Sequence, residues 1–123
     1  MHLVCRHCST RLTANLQLVP LAVQNEAMGE DLLPPGQLMK EDGSSFQHEA
    51  GYFLANVADA EQMQLTSDSR RLNGCCGLDG CDGPNLQCEI CGTYVATKRT
   101  DCWTPHYVAF DPATTQALTD EAS

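Results

Sequence analysis

The sequence predicts a small, mainly β, antiparallel domain stapled by a metal, with one short helix near residues 57–65. Three observations lead there. Two C-x-x-C pairs, Cys5-Arg6-His7-Cys8 and Cys88-Glu89-Ile90-Cys91, stand far apart in the chain. Together they supply the four thiolates of a tetrahedral zinc site. Short alternating or β-branched runs flank both pairs, and glycine, proline and aspartate break up the rest. At 123 residues, with three Phe, three Tyr and one Trp, the chain is one domain with a modest core of Leu, Val, Ile and Met. A metal staple adds substantially to the stability of such a core.

In order, residues 2–20 read as strand, knuckle, strand. Leu16 and Leu18 alternate with Gln17 and Val19 until Pro20 ends the run. Residues 21–50 read as an acidic excursion. Ala22 to Met28 suits a short helix, followed by Gly29, Pro34-Pro35-Gly36 and Asp42-Gly43-Ser44-Ser45, all turn formers. Gly51 to Ala55 is an apolar strand. Asn56 then caps a short helix over 57–65, with Asp59 as a capping-box variant. Thr66 to Arg71 is loop. Residues 74–85 carry glycine at every third position, which suits a tightly turned loop rather than the collagen that this period otherwise suggests. A short strand leads into the second knuckle. Thr93 to Thr97 and Tyr107 to Phe110 form a hairpin around Lys98 to Asp101. The single domain spans 1–112, and 113–123 reads as a flexible tail.

The net charge is −9, and residues 12–69 carry nine acids against one base, Lys40. That balance argues against binding a nucleic-acid backbone, which requires clustered Lys and Arg. Arg70, Arg71, Lys98 and Arg99 read as solvated loop charges. No apolar run approaches the roughly 20 residues needed to cross a bilayer. Met1 to Cys5 lacks the charged and apolar regions of a secretory leader. The expectation is a cytoplasmic protein whose eight cysteines are metal ligands or reactive thiols.

Cys5, Cys8, Cys88 and Cys91 are the candidate Zn²⁺ ligands, with Arg6, His7 and backbone N–H groups offsetting the negative charge of four thiolates. Cys75, Cys76, Cys81 and Cys102, with His106, form a second candidate set. They suit a second metal, small buried side chains or a reactive thiol, and the spacing does not choose among the three. Cys102 and His106 lie four residues apart, as a nucleophile and base on one strand face would, with Asp101 adjacent. Trp103 reads as a core anchor. The glycine loop lacks the lysine of a phosphate-binding loop.

The stretches Arg71-Leu72-Asn73-Gly74-Cys75-Cys76-Gly77-Leu78-Asp79-Gly80 and Asp101-Cys102-Trp103-Thr104-Pro105, with the opening C-x-x-C, resemble a group of small bacterial zinc-ribbon-like proteins. The resemblance covers residues 71–106 and the first knuckle, and it implies no activity. More loosely, two distant C-x-x-C pairs resemble the β-tent zinc folds of yippee proteins and B-type methionine sulfoxide reductases. Function does not follow from such likeness. The expected function is a zinc-binding protein-interaction module, an adaptor or regulatory partner of another cytoplasmic protein that presents a basic surface. The alternative is a thiol-dependent enzyme or redox protein using Cys76 or Cys102 with His106.

Overall fold

The computed structural model describes residues 1–19, 29–41, 50–74, 77–81, 83–102 and 104–119. The chain is mainly β, in two sheets. The strands are β1 (His2–Cys5), β2 (Gln17–Leu18), β3 (Gln37–Lys40), β4 (Phe53–Ala55), β5 (Met63–Leu65), β6 (Leu86–Cys88), β7 (Tyr94–Arg99), β8 (Tyr107–Phe110) and β9 (Thr115–Leu118). Seven of them make one sheet in the order β2-β3-β4-β8-β7-β6-β5, and β1 pairs with β9 in a separate ribbon. All pairings are antiparallel except β2 with β3.

The large sheet is covered on both faces, and its period-two pattern sorts the side chains. Val108 and Phe110 of β8, Leu38 of β3 and Ala55 of β4 face a core shared with Leu3, Leu12, Leu16, Leu86 and Val95. Tyr107 and Ala109 of β8, Met39 of β3 and Leu54 of β4 pack on the opposite side with Leu32 and Leu33. The 29–33 segment is tied over that second face by backbone bonds. His106 N–H donates to the Glu30 carbonyl at 2.7 Å, and Leu32 N–H to the His106 carbonyl at 3.0 Å. Fully buried Asn85 acts as an extra rung, donating through Nδ2 to the Lys98 carbonyl at 3.0 Å and accepting from Lys98 N–H at 2.7 Å.

The expected helix over 57–65 is one 3-10 turn, Val57–Asp59, followed by strand β5. Asn56 caps it as expected, its Oδ1 accepting from Ala58 N–H at 2.8 Å. Asp59 does not complete a capping box, because its Oδ2 accepts from Gly36 N–H at 2.8 Å. Gln62 then takes a positive φ of 53°, which ends the helical path, and Met63 to Leu65 pair with β6.

The excursion over 21–50 also contains structure. β3 lies within it and packs Leu38 and Met39 into both cores. The helix suggested over 22–28 lies outside the described residues. The 113–123 stretch is not a flexible tail as far as Leu118, since β9 pairs along the whole of β1 from His2↔Leu118 to Cys5↔Thr115. Thr115, a small residue 2% exposed, donates its Oγ1 to the Asp111 carbonyl at 2.6 Å and locks that return.

Two stability outcomes follow. Truncation after Pro112 removes the only strand partner of β1 among the described residues and lowers the urea unfolding midpoint. Leu3→Ala, at a side chain fully buried between ribbon and sheet, costs about 2–5 kcal/mol in equilibrium unfolding.

Candidate metal centre

Cys5 ends β1 and Cys88 ends β6, so the ribbon and the large sheet each deliver one knuckle to the same place. Both chains turn there in the same way. Cys5 N–H donates to the Thr10 carbonyl at 2.9 Å, and Cys88 N–H donates to the Thr93 carbonyl at 2.9 Å. Ser9 N–H closes the first knuckle on the Cys5 carbonyl at 2.8 Å, and Gly92 N–H closes the second on the Cys88 carbonyl at 2.8 Å. The two closing residues share the left-handed region, Ser9 at φ 63° and Gly92 at φ 77°. Glycine takes that conformation without cost, and serine is a small residue standing in for it.

The Sγ atoms of Cys5, Cys8, Cys88 and Cys91 all lie within 4.8 Å of one another, close enough to hold a metal ion. The shortest separations run between knuckles, 3.6 Å from Cys5 to Cys91 and 3.5 Å from Cys8 to Cys88. A disulfide requires about 2.05 Å, and all four are free thiols. The edge of a sulfur tetrahedron around zinc is about 3.8 Å, from metal–sulfur bonds of about 2.3 Å. The residues therefore fit a four-sulfur ion. Cys5 and Cys88 are buried while Cys8 and Cys91 are half-buried.

The surroundings divide the four thiols. Burial pushes the Cys5 thiol up to about 11, against the amide N–H groups of Cys8 and His7, which favour its thiolate. The Thr93 hydroxyl and backbone N–H hold Cys91 down to about 6. The two sulfurs stand 3.6 Å apart across the site. Each knuckle supplies the same hydroxyl support, with Cys8 Sγ 2.9 Å from Thr10 Oγ1 and Cys91 Sγ 3.2 Å from Thr93 Oγ1. Sequence reasoning missed these two threonines. The signal is a short internal repeat, C-x-x-C, one small residue, then Thr, at Cys5 to Thr10 and again at Cys88 to Thr93. Arg6 does not turn to the sulfurs as expected. Its Nε donates to the Pro112 carbonyl at 3.2 Å.

The second candidate set is not gathered in the same way. Among the described residues, the four knuckle cysteines alone form a cluster that suits a metal. Cys102 is exposed and disulfide-bonded, so its sulfur is neither a thiolate ligand nor a free nucleophile in this state. Its partner, like Cys75, Cys76 and Trp103, lies outside the described residues. Cys81 is an exposed free thiol whose Sγ faces the Asp79 carbonyl at 3.7 Å. His106 sits with its Nε2 3.2 Å from the Asp101 carbonyl. The glycine loop closes on the β7–β8 connection. A Cβ on Gly77 would meet the Thr100 carbonyl oxygen at 2.2 Å, so only glycine permits that approach.

Searches against protein-family models, curated proteins and solved structures match nothing to this chain.

Thr10→Val and Thr93→Val are each expected to weaken metal binding about tenfold or more in a competition titration with a chromogenic chelator, while leaving the four sulfurs in place. A pH dependence also follows. Above pH 6 Cys91 is already a thiolate in the metal-free protein, and the incoming metal displaces no proton from it. Below that value it must release one. Proton release per metal, measured by calorimetry in buffers of different ionisation heat, therefore rises as pH falls through about 6.

Proposed function

We propose that Cys5, Cys8, Cys88 and Cys91 hold one structural Zn²⁺ and that the protein is a zinc-stapled interaction module, an adaptor or regulatory partner of another protein in the cytoplasm. The observation that carries this reading is the closed site at the junction of ribbon and sheet. Four cysteine sulfurs from the two knuckles lie within 4.8 Å of one another, and a zinc ion held by all four would keep no position for substrate or water, as in structural rather than catalytic zinc sites. Zinc suits four soft sulfurs in tetrahedral array. The kinship with small bacterial zinc-ribbon-like proteins belongs to the same proposal.

A partner with a basic surface fits the charge distribution. Exposed Glu30 and Asp31 crown the segment that covers the second face of the sheet, within the stretch that carries nine of the sixteen acids. No helix among the described residues is long and apolar enough to cross a membrane.

The Cys102 disulfide favours a second reading, a thiol-dependent enzyme or redox protein using Cys76 or Cys102 with His106. In a reducing compartment an exposed disulfide opens, and the freed Cys102 stands four residues before His106 in the chain. Iodoacetamide labelling after mild reduction separates the two. Cys81 labels in either case because it is exposed. Rapid, selective labelling of Cys76 or Cys102 near neutral pH with zinc retained supports the enzyme, and its absence removes that reading.

Metal analysis tests the primary proposal. One equivalent of zinc per chain is expected, with Cys5→Ser abolishing stoichiometric uptake and lowering the melting temperature by well over ten degrees. Affinity capture from the host at low salt should recover a basic partner that high salt releases.

A further inference from the structure

A cleft of about 320 Å³ opens beside the metal centre, lined by Arg6, His7, Thr93, Ala113 and Thr114. Both knuckles build it, Arg6 and His7 from the first and Thr93 from the second. Arg6 is held over the 112–114 turn at two points. Its backbone N–H donates to the Thr114 carbonyl at 2.9 Å and its Nε to the Pro112 carbonyl at 3.2 Å. No carboxylate among the described residues lies within ion-pair distance of Arg6 or His7.

We propose that this cleft docks an acidic, extended segment of another protein, a contact that rests on the reading of the chain as an interaction module and adds a second surface to it. A carboxylate suits the cleft's chemistry, since a guanidinium grips it through paired N–H groups. Charge points the same way. The chain carries −9, yet residues 1–11 contain Arg6 and Arg11 and no acid. That end attracts what the rest of the surface repels. Glu89 is exposed on the second knuckle, and Asp111 Oδ1 is already engaged by Ala113 N–H at 2.9 Å.

A peptide fits better than a free anion because more than charge is on offer. β9 begins at Thr115, directly after the cleft, and pairs on one side only. Among the described residues its far edge carries no strand. Such an edge accepts an extended segment through backbone hydrogen bonds while side-chain sites give selectivity. Ile90, 65% exposed on the second knuckle, offers apolar contact.

The test is fluorescence anisotropy of a labelled peptide of alternating Glu and Thr on the zinc-loaded full chain, with its Gln-for-Glu counterpart as control. Acetate and inorganic phosphate serve as competitors. The acidic peptide is expected to bind at low salt, and the Gln counterpart about tenfold more weakly. Arg6→Gln is expected to lose about fivefold or more while keeping its zinc content and melting temperature. Absence of binding by the acidic peptide, or equal binding by Arg6→Gln, overturns the proposal. So does a preference for the Lys-for-Glu peptide, or displacement by acetate or phosphate as effective as by unlabelled peptide. Self-association that Arg6→Gln abolishes assigns the cleft to a second copy and overturns it too. Zinc content separates this failure from that of the module reading. A zinc-loaded chain that ignores the acidic peptide loses only this inference, while a chain that takes up no zinc loses both.

Discussion

Four sulfurs in mutual contact are the constraint on which the rest of the structure depends. Cys5 belongs to the β1–β9 ribbon and Cys88 to the seven-stranded sheet. The strand ladders of the two sheets are separate, and the layers are held by the apolar core between them, by this cluster, and by backbone bonds through residues 12–16, with Leu12 N–H donating to the Leu3 carbonyl and Glu61 N–H to the Leu12 carbonyl, both at 2.8 Å. Without a metal the cluster is an awkward arrangement. Burial opposes ionisation at Cys5 while Thr93 favours it at Cys91, and a second thiolate at these separations would repel the first. A divalent cation would ease the conflict by attracting all four thiolates, leaving a net −2 for nearby N–H groups to offset. In zinc-finger peptides the corresponding apparent free energy is about 10–16 kcal/mol, comparable to the whole net stability of an ordinary domain.

The site was legible in the sequence because its signal is local. C-x-x-C fixes two sulfurs on one turn whatever surrounds it, and two copies imply one ion. The flanking strands were legible for a related reason. β7 and β8 are short runs rich in β-branched, aromatic and apolar residues, which suit strands with both faces covered. The supporting threonines were equally local and went unread, because the repeat C-x-x-C-small-Thr becomes meaningful only when both copies are seen to hydrogen-bond their second cysteine. The position of Arg6 was not legible. Its destination, the Pro112 carbonyl, is brought near by the return of β9 from the far end of the chain.

What the sequence concealed was mostly non-local pairing. β9 is Thr-Gln-Ala-Leu, a run with little burial signal of its own, and its strand character comes from docking along β1. β3 sits among turn formers, yet the residues Leu38 and Met39 face opposite cores. That is the two-sided burial which reads as a plain apolar pair rather than an alternation. The helix expected over 57–65 had a sound cap and a helix-compatible composition. It failed because Asp59 was claimed by Gly36 and because Met63 to Leu65 had an open neighbour in β6. Local propensity decides such a segment only where no tertiary partner competes for it.

The chain keeps its cysteines in two chemical states, and their placement keeps these apart. The four at the metal centre are free, and two of them are buried. Cys102, itself exposed on the β7–β8 connection, is oxidised. The glycine loop reaches that connection through Thr100 N–H donating to the Leu78 carbonyl at 2.8 Å, and the Thr100 hydroxyl accepting from Leu78 N–H at 3.2 Å. Loss of the Cys102 disulfide therefore leaves the loop still hydrogen-bonded to β7. Neither Cys102 nor Cys81 belongs to the core that contains Cys5 and Cys88. β6, which delivers Cys88 to the cluster, is joined to β7 and β7 to β8 by antiparallel pairing, with a register shift at Leu86 and Gln87.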